Sequence, residues 1–142
     1  MAKIPALIQE RELGFMHSWM HRDAGEIKKL AARDCVLLFG TDPIEVLDRP
    51  SFVAAVQNDF RCLGYRMGEC VVRRYGKMAW FTGSADMELK LGVREWKGRF
   101  LITGLWQKQR FGGWKLLERT VSPLAQDERL PAGVQRLQMW QR

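Results

Sequence analysis

The segment YRMGECVVRRYGKMAWFTGSADMELKL, residues 65–91, decides the fold, because its apolar residues largely alternate with polar ones. This period of two is typical of a strand with one buried face. Tyr75-Gly76 supplies a tight turn, so the segment is predicted to form two antiparallel strands joined there. Residues 98–122 repeat the pattern around a turn at Gly112-Gly113, and residues 92–97 are predicted to link the two pairs. The sequence therefore predicts a four-stranded antiparallel meander.

Before these strands the apolar residues follow the period of a helix. One face predicts a first helix from about Pro5 to Met20, and it carries Ile4, Ile8, Phe15 and Trp19. A second helix is predicted to open at Asp23, and a third to run from Ser51 to Arg61 with Asp48 as its cap. The apolar run CVLLFG, residues 35–40, is too short for a helix and predicts a buried strand. Helices followed by strands predict an α+β fold, with three N-terminal helices on one face of the sheet.

Length and composition predict one globular domain over residues 1–142. Hydrophobic residues make up 46% of the chain and charged residues 27%, which favours a packed core over disorder. No apolar run approaches the roughly 18 residues of a membrane span, and the N-terminus turns polar too early for a signal peptide. We therefore predict a cytoplasmic protein without a membrane partner. Residues 124–142 are predicted to be an extension that ends in a short helix.

The net charge of +7 originates in the middle of the chain. Residues 65–119 hold twelve Lys or Arg against five acids, a bias that attracts anions. The basic residues stand singly between apolar ones, as on a solvated sheet face, and no clustered surface aromatics accompany them. A nucleic-acid partner is therefore not expected.

Neither a metal site nor a cofactor is predicted. Cys35, Cys62 and Cys70 lack CxxC spacing and are expected to be buried, reduced thiols. His17 and His21 are four residues apart on the first helix, a spacing that suits a metal ion. They lie opposite the apolar face of that helix, however, which favours exposed or interface histidines.

The strand RFLITGLW, residues 99–106, is apolar on both of its faces. Phe100, Ile102, Gly104 and Trp106 form one alternate set, but Leu101 and Leu105 make the other set largely apolar as well. The helices cover only one face of the sheet. A homodimer that buries the other face is therefore predicted.

Several local motifs resemble a known family. They are GTDP at residues 40–43 with the following Glu45, VRRYGKMAWF at 72–81, TGLW at 103–106, and GGWKLLERTVSP at 112–123. Together with the order of the elements, they resemble the SnoaL-like domains of the nuclear transport factor 2-like (NTF2-like) superfamily. The resemblance implies a cystatin-like cone, in which a strongly curved antiparallel sheet and three helices enclose an apolar pocket for a small, largely apolar molecule.

The resemblance also limits the chemistry. Such domains include ketosteroid isomerases, scytalone dehydratase, polyketide cyclases and epoxide hydrolases, alongside noncatalytic ligand-binding or assembly domains. Catalytic members move protons with carboxylates or an Asp-His pair inside a dry cone, without a cofactor. This chain has Phe39 where similar isomerases have their Asp, and Glu118, Thr120 and Ser122 where the last strand often carries histidines. The sequence leaves open an isomerase, dehydratase or cyclase on one side and a noncatalytic binding or assembly domain on the other.

Glu12 and Asp42 are the main catalytic candidates. Glu12 lies at the edge of the buried face of the first helix, where it either reaches the pocket as an acid or base or pairs with Arg11 or Arg22 at the rim. Asp42 and Glu45 lie at the mouth of the implied cone, where each serves either in proton transfer or in a tied turn.

The candidate ligand-binding residues are Trp19, Tyr65, Trp106 and Arg119. Arg119 has apolar same-face neighbours, Leu117 and Val121, so it needs an anion from either a protein carboxylate or a ligand. Trp106 offers a flat wall, with ordinary core packing as the alternative. Tyr65 offers a phenol that donates to a carbonyl.

Overall fold

A computed structural model describes residues 3–124, in which three helices pack on a six-stranded sheet. In chain order the elements are α1 (Ile4–Met20), α2 (Ala24–Leu30), β1 (Ala31–Phe39), β2 (Glu45–Asp48), α3 (Arg49–Gln57), β3 (Phe60–Tyr75), β4 (Met78–Leu91), β5 (Arg94–Lys108) and β6 (Trp114–Pro123). The predicted α+β fold with three N-terminal helices is confirmed. The expected C-terminal helix falls on residues 124–142, nearly all of which lie outside the described part.

The strand order is β2-β1-β6-β5-β4-β3, and all pairs are antiparallel except β1 with β6. Both predicted hairpins are present, since Tyr75 pairs with Met78 and Lys108 with Trp114. The expected linker at residues 92–97 is wrong. β4 ends at Leu91, Gly92-Val93 forms a two-residue turn, and β5 already begins at Arg94, because the charged side chains there remain in solvent while the backbone groups pair in the ladder.

Strand β2 was not predicted. Its four residues, Glu45–Asp48, pair with the end of β1, where the acidic sequence had indicated only a turn and a helix cap. The cap itself is confirmed, since the Asp48 carboxylate accepts a 2.9 Å hydrogen bond from the Ser51 amide. Asp23 caps α2 in the same way.

Helix α3 is shorter than expected, because it ends at Gln57 and not at Arg61. Asn58 leaves the helical conformation, with φ of −93° and ψ of −96°, and its amide and its side chain both donate to the Ala54 carbonyl, at 3.1 Å and 2.8 Å. Phe60, assigned from its spacing to the helix, opens β3 instead. Its ring still reaches the core, so the apolar pattern was correct and the boundary was not.

The core lies between the helices and the inner face of the sheet. On β5 the buried set is the predicted one, with Phe100, Ile102 and Trp106 almost fully buried. Cys35 and Cys62 are buried as expected, and burial raises the pKa of the first thiol to about 11 and of the second to about 12. Cys70 is only half-buried.

A β-bulge sets the direction of Arg119. The register between β5 and β6 shifts next to Trp106, which leaves Leu117 out of the pairing. The expectation that Leu117 shares a face with Arg119 is therefore wrong, because the bulge breaks the alternation and turns Leu116 and Arg119 inward.

Within residues 3–124, no helix combines the length and apolarity needed to cross a bilayer.

Candidate functional site

A cavity of about 550 Å³ opens at the end of the sheet where β1 and β6 finish and β4 turns into β5. Its walls are mainly apolar and include Phe39, Phe60, Leu89, Trp96, Phe100 and Val121. This volume lies in the range of roughly 300–1,000 Å³ that is typical of small-molecule sites. The cavity is therefore large enough for a ligand of several fused or linked rings.

An aromatic cluster supports the floor of this cavity. Phe39 and Phe60 face the cavity, and Trp19 and Phe52 pack behind them, with the Trp19 ring centroid 5.1 Å from both Phe52 and Phe60. The Trp19 indole donates a 3.1 Å hydrogen bond to the Phe60 carbonyl. Trp19 is fully buried and thus lies one layer behind the cavity wall.

Charged side chains line the cavity only at its mouth. The mouth group consists of Asp42 and Glu45 on the β1–β2 side and Arg94 on the β4–β5 side, all exposed. The Arg94 guanidinium carbon lies 4.9 Å from the centroid of the Trp96 ring. Considering residues 3–124 alone, none of the three takes part in an ion pair. Their charges are available to a ligand.

A second set of polar side chains, the inner polar cluster, is formed by Glu12, Trp106 and Arg119. One oxygen of the fully buried Glu12 carboxylate binds the Arg119 guanidinium, and the other accepts a 2.7 Å hydrogen bond from the Trp106 indole. Arg119 also lies over the Phe15 ring, with its guanidinium carbon 4.8 Å from the centroid. The anion that Arg119 needs is thus supplied by the protein.

Gly104 makes room for this cluster. A Cβ atom at that position would overlap the Glu12 carboxylate and come within 3.2 Å of the Trp106 indole nitrogen. The Arg119 Nε and Nη1 groups and the Tyr65 hydroxyl are also buried, and none finds a hydrogen-bond partner in the described part of the chain. Burial raises the pKa of the Tyr65 phenol above its usual range, which keeps it protonated.

The structure places the predicted site residues in two different regions. Asp42 lines the cavity, as does Glu45. Glu12 and three of the four ligand-binding candidates, Trp19, Trp106 and Arg119, are buried in the core and do not line it. Tyr65 is partly buried and is also outside the lining.

Arg94 and Trp96 were missed by sequence reasoning. Residues 92–97 had been interpreted as a linker, so no side chain there was assigned to a site. Trp96, a large apolar residue between Glu95 and Lys97, could have indicated a buried wall here, because an exposed linker gives a Trp no surface to pack against.

His17 and His21 are exposed, as their position opposite the buried face of α1 indicates.

The sequence profile of the SnoaL-like domain family matches residues 13–126. Among curated proteins, none has a matching sequence. Solved structures with the same fold include an NTF2-like protein from Cytophaga hutchinsonii, with 11% identity, a TM-score of 0.78, and coverage of 87% of this chain and 100% of that chain.

Two further structures are similar. A putative Ca/calmodulin-dependent kinase II association domain from Exiguobacterium sibiricum has 15% identity and a TM-score of 0.75, with 89% of this chain and 98% of that chain covered. A putative dehydratase of the NTF2-like family from Streptomyces avermitilis has 16% identity and a TM-score of 0.65, with 84% and 94% covered. At these identities the likeness establishes the fold alone.

Proposed function

We propose, from the premise that this chain belongs to the SnoaL-like domain family, that it binds a small, largely apolar molecule in the cavity beside Phe39. The observation that carries this proposal is the cavity itself, about 550 Å³ with apolar walls and charges confined to its mouth. Each buried apolar Å² of ligand contributes about 25 cal/mol, so such walls favour a hydrophobic body. The rings of Phe60, Trp96 and Phe100 favour a flat one.

Cofactor-free proton transfer is the second candidate function, and it is favoured by the position of Asp42 on the cavity wall. A carboxylate there can act as general base or acid on a bound carbon acid or alcohol, as in an isomerase, dehydratase or cyclase. Between the two carboxylates predicted from the sequence, the contacts favour Asp42, because both oxygens of Glu12 already bind protein groups.

Noncatalytic binding is favoured by two other observations. Phe39 presents a ring to the cavity, and Asp42 is exposed. The similar kinase association domain from Exiguobacterium sibiricum is named for association and not for a reaction. Binding is therefore the conclusion that we carry forward, and turnover is a separate question for experiment.

A substitution in the cavity tests the binding proposal. Ala55 lines the cavity from α3, so Ala55→Trp fills part of its volume, whereas Ala54→Trp places the same side chain on the exposed face of that helix. We expect the neutral fluorescent probe N-phenyl-1-naphthylamine to bind the unmodified protein and to lose at least about tenfold in affinity with Ala55→Trp alone. Equal affinity in both variants would contradict the proposal.

We further propose that the outer face of the sheet forms a homodimer. Trp80, Leu105 and Val36 lie in one row across this face, with the exposed Glu118 between the last two, and Trp80 is 36% exposed in the single chain. Val46 on β2 extends the apolar surface and is 57% exposed. A face of this kind is typical of a surface that is covered in the assembled protein.

The oligomeric state can be measured by sedimentation equilibrium. We expect the unmodified protein to sediment as a dimer and Leu105→Glu to sediment as a monomer, because a carboxylate would be buried without a partner at the centre of the interface. Lys29→Glu, on the exposed side of α2, is the control and should remain dimeric. A monomeric unmodified protein would overturn the dimer proposal and leave the binding proposal standing.

A further inference from the structure

Arg94 is positioned at the cavity by local structure on both of its sides. The turn before it contains Gly92 in the left-handed region, with φ of 60°, and Arg94 then opens β5 opposite Leu91. Two residues later on the same side of the strand, Trp96 lies beneath the guanidinium at 4.9 Å. Leu91, Arg94 and Trp96 all line the cavity, so the cation is held at an apolar wall by a ring that also belongs to that wall.

Within residues 3–124, no carboxylate matches the charge of Arg94. Arg119 binds Glu12, and Arg66 has Asp86 at 3.7 Å, but no carboxylate of residues 3–124 pairs with Arg94. Asp42 and Glu45 are the other charged residues that line the cavity, and they belong to the β1–β2 segment, whereas Arg94 belongs to the β4–β5 hairpin. The lining therefore carries one cation and two anions, on separate segments of the chain.

We propose that the ligand is a planar apolar monocarboxylate, whose carboxylate pairs with Arg94 while its ring system lies against Trp96 and Phe100. This inference rests on the proposed binding function. A guanidinium binds a carboxylate through two parallel hydrogen bonds, and the Trp96 ring beneath Arg94 fixes its position. The two carboxylates of the β1–β2 segment repel a second anionic group, so a monocarboxylate is favoured over a dicarboxylate. Both carboxylates can accept hydrogen bonds, which suits a hydroxyl group elsewhere on the ligand.

Three probes of one shape separate this proposal from its alternatives: 2-naphthoate, 2-naphthylmethanol and 2-naphthylmethylammonium. Calorimetric titration of the unmodified protein should show 2-naphthoate binding about five- to tenfold more tightly than the neutral alcohol. The cationic probe should bind no more tightly than the alcohol. Raising the salt concentration should reduce the advantage of the naphthoate and leave the alcohol unaffected.

Substitution of Arg94 assigns the preference to one side chain. Arg94→Gln should bring 2-naphthoate down to the affinity of 2-naphthylmethanol, whose own affinity should change by less than about twofold. The matched control is Lys97→Gln, which removes a positive charge from an exposed position of the same strand outside the cavity lining. The double change Asp42→Asn and Glu45→Gln should tighten 2-naphthoate, since it removes the repelling charges.

The outcomes separate the two proposals. If the alcohol binds, Ala55→Trp blocks it, and the naphthoate shows no Arg94-dependent advantage, the carboxylate inference falls while the binding function stands. Tighter binding of the ammonium probe than of the naphthoate would also overturn the inference, because it would assign recognition to Asp42 and Glu45. If none of the three probes binds the unmodified protein, the carboxylate inference fails, and N-phenyl-1-naphthylamine alone then decides the binding proposal.

Discussion

The inner polar cluster and the mouth group both contain charged side chains, but they differ in their exposure to water and in their partners. In the inner polar cluster, Glu12 and Arg119 are almost fully excluded from water and bind each other. At the mouth, Asp42, Glu45 and Arg94 remain exposed and unpaired within the described residues. A buried charge without a partner strongly destabilises a protein, so the charges of the inner polar cluster serve the stability of the fold. The exposed charges of the mouth group have little effect on the free energy of unfolding, which leaves them for recognition of another molecule.

The strongest way to break this comparison is to remove one member of the buried pair. Glu12→Leu leaves the Arg119 guanidinium buried without an anion, and we expect a loss of about 3–5 kcal/mol in the free energy of unfolding, measured with urea. The double variant Glu12→Leu with Arg119→Met replaces the pair by apolar side chains and should recover most of that loss. If the single substitution costs less than about 1 kcal/mol, the cluster does not have the structural role assigned to it.

A second test concerns the space that the inner cluster needs. Gly104→Ala pushes a methyl group against the Glu12 carboxylate and should destabilise the protein by about 1–3 kcal/mol. Gly64→Ala on β3 is the matched control, because a Cβ atom there meets no other atom within 4 Å. Urea unfolding of both variants checks this expectation. Equal stability of the two would show that the cluster can move aside.

Asp48 is an intermediate case between the inner polar cluster and the mouth group, because its carboxylate is exposed and still has a protein partner. Hydrogen bonding from the Ser51 side chain and, to a smaller extent, from the Ser51 amide lowers the pKa of this carboxyl group below its ordinary value. The contribution to stability is therefore present above that ordinary value and is lost as the pH falls through the lowered pKa. We expect Asp48→Ala to lower the thermal unfolding midpoint at about pH 7 by more than it does at about pH 3, near the ordinary pKa. A deficit that is independent of pH would argue against the cap.

The smallest effects are expected at the mouth. Asp42→Asn and Glu45→Gln should each change the free energy of unfolding by less than about 0.5 kcal/mol, because neither carboxylate binds another side chain of the described part. The same urea titration measures this. A loss that matched the one expected for Glu12→Leu would erase the distinction between the two groups.

The helices and strands could be predicted where the apolar residues of a segment followed a single period, either that of a strand or that of a helix. Alternation identified the hairpin turns and the inner face of β5, and the helical period identified the buried face of α1. Strand β2 and the start of β5, residues 94–97, were missed because charged residues make up half or more of each, and only backbone pairing with a neighbouring strand makes them strands. The bulge at Leu117 was missed for a related reason, since one unpaired residue reverses the faces that follow it.

The two charged groups differ in how far the sequence could identify them. Arg119 was recognised as a cation in need of an anion, but its partner Glu12 is 107 residues away and no local pattern connects the two. Asp42 was placed at the mouth from the family resemblance. Arg94 was not, because its role depends on the position of Trp96 beneath it and of β1 and β6 around the cavity, which only the folded chain brings together.

The parallel pairing of β1 with β6 has a consequence for synthesis on the ribosome. Leu37 pairs with Arg119, so the first and last strands of residues 3–124 must meet before the middle of the sheet can form. Contacts of such high sequence separation slow folding, because a long loop loses its freedom before any of them forms. While β6 is still being translated, β1 presents an unsatisfied edge to the crowded cell, and a nascent chain in that state is a natural client for a chaperone.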